Sequence, residues 1–168
     1  MKIRMAKVED AAAIAAIYNF YVETSHSTFE TENVNESEMR RRVSEILENY
    51  PFLVGEENGE IIGYAYASRY KTRAGYRHSV EISVYIKNGI EGKGIGSILY
   101  ENLFAELKAK PVHALIAGIA LPNEASIRLH EKFGFEKVAH FREVGFKHGR
   151  WIDVGYWEKI QEIQSPNS

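Results

Sequence analysis

The sequence predicts an α/β fold in which strands and helices alternate along the chain. The clearest strand is Ser79–Ile86, where aliphatic and polar residues alternate with the period of two that a β-strand requires. Asp10–Tyr21 and Asn35–Tyr50 instead carry apolar residues three and four apart, which is the spacing of an amphipathic helix. The Asn58-Gly59 pair between two apolar runs predicts a β-hairpin.

The first part of the chain predicts two helices framed by short strands. Lys2–Ala6 is the first strand, and Asp10 can cap the helix that follows it or stabilise the positive end of that helix. Asn35–Tyr50 ends at Pro51, which cannot continue a helix. The inward side chains of these two helices are predicted to be Ile14, Ile17, Tyr18, Tyr21, Met39, Val43, Ile46 and Leu47. The hairpin strands are predicted at Phe52–Glu56 and Glu60–Ser68.

The second part of the chain predicts two further helices and three strands. Val112–Ile119 is almost continuously apolar, as in a strand buried on both faces. Asn123 caps a helix that reaches about Phe133 and ends at Gly134. The helix Gly94–Lys110 is predicted to turn inward Ile95, Ile98, Leu99, Leu103 and Leu107. Phe135–Glu143 and Trp151–Lys159 complete the sheet around a turn at Lys147-His148-Gly149, and the tail after Gln161 is predicted to be frayed.

Composition excludes several classes of function. The chain has 168 residues, with 21 Lys and Arg against 23 Asp and Glu, so it lacks the excess positive charge of a nucleic-acid-binding protein. It contains no cysteine, which excludes disulfides, cysteine-ligated metals and an acyl-cysteine intermediate. The six histidines lack metal-site spacing, and no run of about 18 apolar residues could span a membrane. We expect a single cytoplasmic domain without a metal.

A glycine-rich loop is the first candidate binding element. Gly92-Lys93-Gly94-Ile95-Gly96-Ser97 lies between a predicted strand and a predicted helix. Glycines let backbone N–H groups converge, and a helix N-terminus adds partial positive charge, so the loop could hold a phosphate or pyrophosphate. A flexible turn that binds nothing is an equal alternative. The pattern is not that of a P-loop, and a dinucleotide fingerprint would open its domain.

Three further features could carry chemistry. Glu81 lies in the middle of an aliphatic strand, where it is either a solvated polar residue or a general base facing a cleft. Asn123 and Ser126 could simply cap a helix, and His130 could be an ordinary helix histidine. A basic and aromatic stretch before Glu81 is either solvated surface or a clamp for a substrate carboxylate, and it contains Lys71, Arg73 and Tyr76.

Taken in order, these segments resemble the GNAT superfamily of acyl-CoA N-acetyltransferases. The resemblance rests on Ser79–Ile86, Glu91–Gly96, Asn123–Ser126 and Glu131–Phe135. Other motifs are similar to its phosphinothricin and methionine sulfoximine acetyltransferase branch: Thr28-Phe29-Glu30, Lys71-Thr72-Arg73, Val80–Tyr85, Leu121-Pro122-Asn123 and Gly145–Gly155. Two positions depart from the superfamily pattern, because Glu91 stands where Gln or Arg is usual and His130 replaces a tyrosine.

The resemblance implies a mixed, mostly antiparallel twisted sheet of about six or seven strands, with about four helices and splayed central strands. It implies acetyl-CoA as co-substrate, held by Val84, Tyr85, Ile86, Gly92, Lys93, Gly94, Ile95, Gly96, Ser97, Asn123 and Ser126. Glu81 would be the base that deprotonates the attacking amine, and His130 would protonate the departing thiolate or relay the amine proton. The acceptor would be bound by Phe29, Lys71, Thr72, Arg73, Tyr76 and Glu81.

The same resemblance implies direct acetyl transfer, in a ternary complex, to the α-amine of methionine sulfoximine, methionine sulfone or phosphinothricin. It also implies a homodimer, for which Trp151 and Trp157 mark a possible contact region unless they are core residues. The alternatives are acetylation of another amine, such as a polyamine, an aminoglycoside or a protein N-terminus, and a non-catalytic acyl-CoA sensor. Lys71 and Arg73 disfavour polycationic acceptors, which need an acidic cleft.

Overall fold

The computed structural model describes residues 1–162, which contain seven strands and four α-helices. The strands are β1 Lys2–Met5, β2 Phe52–Glu57, β3 Glu60–Arg69, β4 Ser79–Ile86, β5 Ala114–Ala120, β6 Glu136–Lys147 and β7 Arg150–Ile160. The helices are α1 Ala11–Thr24, α2 Glu36–Leu47, α3 Ile95–Lys108 and α4 Glu124–Lys132. The part of the predicted tail beyond residue 162 lies outside the described residues.

The strands form one sheet in the order β1-β2-β3-β4-β5-β7-β6. Four neighbouring pairs are antiparallel, namely β1 with β2, β2 with β3, β5 with β7 and β6 with β7. β4 and β5 are parallel and pair at only three positions, Ser79–Glu81 with Ala114–Ile116. The predicted mixed, mostly antiparallel sheet is therefore confirmed, and the short ladder after which β4 and β5 stop pairing agrees with the predicted splay.

The chain divides into two compact units. Unit 1 comprises Met1–Phe20, Asn33–Ser68 and Ile82–Lys110, and unit 2 comprises Tyr21–Glu32, Arg69–Glu81 and the described residues from Pro111 onward. No helix in the described part of the chain is long and apolar enough to cross a membrane. The expected single acetyltransferase domain stays a prediction.

The helices of unit 1 bury most of the side chains that the spacing predicts to point inward, but Ile46 and Leu47 are only half-buried. Ile95, Leu99 and Leu107 of α3 are buried, whereas Ile98 is 40% exposed. The prediction that Ile98 points inward is wrong because, at about 100° per residue, it lies half a turn out of phase with Leu107. The β2–β3 hairpin turns at Asn58 and Gly59, which both have positive φ, as predicted.

Local side-chain contacts change some of the predicted helix boundaries in unit 1. A short 3₁₀-helix, Val8–Asp10, precedes α1. Asp10 does not cap α1 as predicted, because its carboxylate accepts from the Lys7 N–H at 2.7 Å and from the Arg4 guanidinium at 2.8 Å. α2 starts after Asn35, whose side chain accepts from the Glu38 N–H at 2.8 Å. It ends three residues earlier than predicted, at Leu47, so Tyr50 and Pro51 follow it outside the helix.

Unit 2 is built on β5, β6 and β7. Only one face of β5 is fully buried, so the prediction of burial on both faces is wrong: Leu115, Ala117 and Ile119 point inward and Gly118 is exposed. β6 runs to Lys147, further than predicted, because the turn consists of just His148 and Gly149, both at positive φ. Trp157 is a core residue, 2% exposed, whereas Trp151 is 63% exposed.

Candidate functional site

The glycine-rich loop in unit 1 leads directly into α3. Gly92 and Gly94 have φ of +78°, a left-handed conformation that favours glycine, and a Cβ added to either would meet no atom within 4 Å. α3 starts at Ile95, so its first-turn N–H groups point toward this loop. The surface above the loop is therefore open, and its backbone donors and helix dipole suit an anion.

Glu91 precedes this loop, where an acidic side chain would oppose anion binding. Its carboxylate accepts a hydrogen bond from the Gly89 N–H at 2.8 Å. The Glu91 side chain thus closes its own turn. This contact gives the carboxylate a local structural role in the segment that leads to the glycine loop.

Also in unit 1, the end of β4 packs closely against β3 at Gly63, which carries no signal in the sequence. A Cβ on Gly63 would lie 3.0 Å from Ile86 Cδ1 and 3.1 Å from the Tyr85 carbonyl oxygen. The Tyr85 ring contacts Tyr18 edge-on, with 5.3 Å between the ring centroids. Gly63 and Tyr18 therefore set the position of the β4 backbone at Tyr85 and Ile86.

In unit 2, Glu81 lies in a partly buried cluster that β4, β5 and β7 share. Desolvation by burial raises the pKa of Glu81 above its ordinary value. A Cβ on Gly118 would lie 3.6 Å from Glu81 Oε1 and 3.2 Å from Tyr156 Cε1, so the absence of a side chain on Gly118 leaves room for both neighbours. Burial raises the pKa of Tyr156, and the charges of Glu81 and Tyr70 add to this effect.

The predicted acceptor-binding residues before β4 form a compact aromatic and cationic group. Lys71 Nζ lies 5.2 Å from the centroid of the Tyr70 ring and 5.5 Å from that of Tyr76, within cation–π range. Arg73 Cζ is 5.9 Å from the Tyr76 ring centroid. The segment returns to the sheet where the Tyr70 N–H donates to the Ser79 carbonyl at 3.4 Å. Thr72 is exposed on the same segment.

The three predicted residues of α4 are linked to one another. Asn123 caps the helix, because its side-chain oxygen accepts from the Ser126 N–H at 3.1 Å. His130 is 3% exposed, and its Nδ1 lies 2.7 Å from the Ser126 carbonyl oxygen. That contact places the ring proton on Nδ1, which leaves Nε2 as an acceptor. Desolvation lowers the pKa of His130, so the neutral ring is favoured at neutral pH.

Phe29 lies in unit 2 on the segment that connects α1 to α2, and its side chain is 39% exposed. Its ring covers Gly145 of β6, where an added Cβ would come within 2.2 Å of Phe29 Cε1. Phe29 thus contacts the first residue of the motif Gly145–Gly155.

The structure brings some of the predicted residues together and adds others. Lys71, Arg73 and Tyr76 form one cluster, whereas Glu81 belongs to a second cluster with Gly118 and Tyr156. Tyr70, Tyr156 and Gly63 were missed, because a strand glycine or a tyrosine has no local signal until its neighbour in space is known. Among residues 1–162, no three His, Asp or Glu side chains are grouped as metal ligands.

Comparison with known proteins gives a consistent picture. The family description "Acetyltransferase (GNAT) domain" matches residues 3–155. A phosphinothricin N-acetyltransferase of Streptomyces coelicolor is 42% identical over 163 residues, which cover 95% of each chain. An L-methionine sulfoximine/L-methionine sulfone acetyltransferase of Salmonella typhimurium is 36% identical over 170 residues, covering 100% of this chain and 99% of that one.

A solved structure shares the fold along nearly the whole chain. It is a phosphinothricin acetyltransferase from Sinorhizobium meliloti in complex with acetyl-CoA, with a TM-score of 0.92 and 37% sequence identity. The alignment covers 97% of this chain and 90% of that one.

Proposed function

Because the chain belongs to the GNAT acetyltransferase family, we propose that it transfers the acetyl group of acetyl-CoA to the α-amine of a small, anionic amino acid. Methionine sulfoximine, methionine sulfone and phosphinothricin are the proposed acceptors, which the names of its relatives support. The observation that carries this proposal is in unit 2. There a carboxyl group with a raised pKa follows, along the chain, a cationic and aromatic segment suited to an amino-acid carboxylate.

Glu81 is the proposed general base. The amine of a free amino acid is largely protonated at neutral pH and must lose a proton before its nitrogen can attack a thioester. A carboxylate whose pKa is raised by burial accepts that proton more readily than an exposed one. Glu81 would take it directly or through a water molecule.

His130 is proposed to relay the amine proton. Because its ring is neutral, it must accept this proton before it can donate one to the thiolate. Its Nδ1 is engaged with the Ser126 carbonyl, and its lowered pKa favours the neutral ring. A neutral imidazole with its proton on Nδ1 accepts a second proton at Nε2 before it can pass one on. Tyr156 lies beside Glu81, and its hydroxyl is proposed as a hydrogen-bond partner for the acceptor amine.

The glycine loop is the proposed site for the pyrophosphate of acetyl-CoA. The open surface above Gly92 and Gly94 supports this assignment, as does the start of α3 at Ile95. Lys93, Gly96 and Ser97 belong to the same proposed site. Asn123 and Ser126 are proposed to contact the pantetheine arm in addition to capping α4. When bound, acetyl-CoA supplies a thioester, whose carbonyl the backbone of Val84, Tyr85 and Ile86 would orient and polarise.

For the acceptor, Lys71 and Arg73 are proposed to bind the α-carboxylate, since a guanidinium can hold a carboxylate through two parallel hydrogen bonds. Thr72 and Tyr76 share that segment. Phe29 is proposed to contact the side chain of the acceptor. A single-step transfer in a ternary complex is consistent with a chain that has no cysteine for an acyl-enzyme.

The test is release of free CoA from acetyl-CoA with four acceptors assayed in parallel: methionine sulfoximine, phosphinothricin, spermidine and an aminoglycoside. We expect turnover with the first two. Turnover only with the cationic amines would contradict the acceptor assignment while leaving acetyl transfer intact. Binding of acetyl-CoA without turnover on any acceptor would favour a non-catalytic sensor.

We also propose that the protein is a cytoplasmic homodimer. The dimer is supported by exposed apolar side chains on the β6–β7 hairpin, where a monomer would leave a hydrophobic patch in water. These side chains are Val138, Phe141, Val144, Phe146 and Trp151. The cytoplasmic location stays a prediction.

A further inference from the structure

We infer that Lys147 and Gly145 of β6 are positioning residues that together hold Phe29 in place for the acceptor. This inference rests on the proposed function, because it assumes that Phe29 contacts the acceptor. Neither residue is assigned a role in the chemistry. Each acts through the last turn of α1 and the residues that follow it, here called the acceptor segment and defined as Tyr21–Glu32 of unit 2.

Lys147 is a buried cation that binds two main-chain carbonyls of the acceptor segment. Its side chain is covered on all sides, with 2% of the residue exposed. Its Nζ donates to the Thr28 carbonyl at 2.8 Å and to the Tyr21 carbonyl at 3.4 Å. Burial lowers the pKa of Lys147, and the charge of Glu30 acts in the opposite direction.

A buried lysine needs an explanation because desolvating its ammonium is costly. An apolar side chain of similar length would fill the same volume without that cost. Such a side chain could not donate hydrogen bonds to the carbonyls of Tyr21, in the last turn of α1, and Thr28, beside Phe29. The ammonium therefore fixes the backbone of Thr28, the residue next to Phe29.

Gly145 determines where the Phe29 ring can lie. An added Cβ would fall 2.2 Å from Cε1, 2.4 Å from Cζ and 2.9 Å from Cδ1 of the ring, so the ring rests directly on the Gly145 backbone. No real Cβ tolerates such distances, and the neighbour is a stiff ring rather than a flexible chain end. Gly145 does not have a positive φ, so its backbone would accept alanine. The Phe29 ring is the obstacle to a side chain there.

A third contact holds the same segment against the same hairpin. The rings of His26 and His148 meet edge-on, with 5.6 Å between their centroids. Within the segment, the Glu30 N–H donates to Thr28 Oγ1 at 3.3 Å. The hairpin turn, the Lys147 ammonium and the Gly145 backbone thus set the path of the acceptor segment before and after Phe29.

The first test is a double-mutant cycle between Gly145→Ala and Phe29→Ala. In each variant, the KM of methionine sulfoximine and the KM of acetyl-CoA are measured. In the wild-type background, Gly145→Ala displaces the ring and should raise the acceptor KM about tenfold or more, with the acetyl-CoA KM unchanged. In the Phe29→Ala background, Gly145→Ala should have no further effect, because the ring it displaces is absent. Additive effects of the two substitutions would overturn the inference.

The second test compares Lys147→Met with Lys159→Met. Lys159 is the matched control, since its Nζ also donates to a main-chain carbonyl, that of Phe133 at 2.7 Å. Lys147→Met should raise the acceptor KM. Lys159→Met should lower thermal stability and leave the acceptor KM unchanged. An equal rise in both variants would show a merely structural role and overturn the inference.

A readout that does not need the acceptor separates this inference from the proposed function. Lys147→Met should speed cleavage of the folded protein at Glu23, Glu30 and Glu32 by a glutamate-specific protease, relative to wild type and Lys159→Met. If wild type acetylates none of the four acceptors, the proposed acceptor class fails, and this cleavage rate still reports on Lys147. Unchanged cleavage in Lys147→Met overturns the positioning role in either case.

Discussion

At the scale of single residues, the activity is expected to depend on the ionisation of Glu81. Burial raises the pKa of this carboxyl, so the acetylation rate should fall as the pH is lowered through a value above the ordinary 4.5. Glu81→Gln should lower kcat by about 10²–10⁴-fold, remove this limb of the pH profile and leave acetyl-CoA binding intact. An unchanged kcat would contradict the assignment and favour a protein without a working base.

The same carboxyl affects stability, with a sign that follows from its raised pKa. Above pH 4.5 the unfolded chain loses this proton before the folded chain does, so the folded state is progressively disfavoured until the pH passes the folded pKa. Glu81→Gln should therefore match wild type in stability near pH 4 and exceed it at neutral pH. Urea unfolding from about pH 4 to about pH 8 measures this difference, and a gap that does not grow with pH would contradict it.

At the scale of secondary-structure elements, Gly63 of β3 controls the position of the β4 backbone. Gly63→Ala places a methyl group 3.1 Å from the Tyr85 carbonyl oxygen, which can move only if the strand moves. We expect the acetyl-CoA KM to rise several-fold and stability to fall by about 1–3 kcal/mol.

The control for Gly63→Ala is Gly55→Ala on the neighbouring strand β2. There the nearest atom to the new methyl group is Met1 Sδ at 3.1 Å, the end of a flexible side chain. Gly55→Ala should therefore leave the acetyl-CoA KM unchanged. If both variants raised this KM equally, the position of the Tyr85 backbone would not be the cause. Kinetics for each variant at saturating acceptor provide the comparison.

At the scale of the whole molecule, the exposed patch on the β6–β7 hairpin is expected to form a homodimer contact. Trp151 is 63% exposed and packs against Phe146 with 4.9 Å between ring centroids, so the two rings offer one apolar surface. Trp151→Glu should convert a dimer to a monomer, as measured by sedimentation equilibrium. Ile160→Glu, on the same strand but outside the patch, is the control and should stay dimeric. A wild-type protein that sediments as a monomer would contradict the proposal.

Features that depend on neighbours along the chain could be predicted from the sequence. The hairpin turn at Asn58 and Gly59, the cap at Asn123 and the strand Ser79–Ile86 follow from local backbone preferences and periodicity. The candidate pyrophosphate loop and the basic segment around Arg73 were likewise visible as motifs. Such signals involve residues a few positions apart, so one sequence is enough to identify them.

Tertiary structure alone decided the features that join distant parts of the chain. The sequence does not show that Gly118 leaves room for Glu81 beside Tyr156, or that Lys147 binds the Thr28 carbonyl 119 residues away. It also misplaced Ile98, because apolar spacing identifies a helix but not the edge of its buried face. These contacts arise from packing of strands and segments, and packing depends on the three-dimensional arrangement of residues that the linear order leaves far apart.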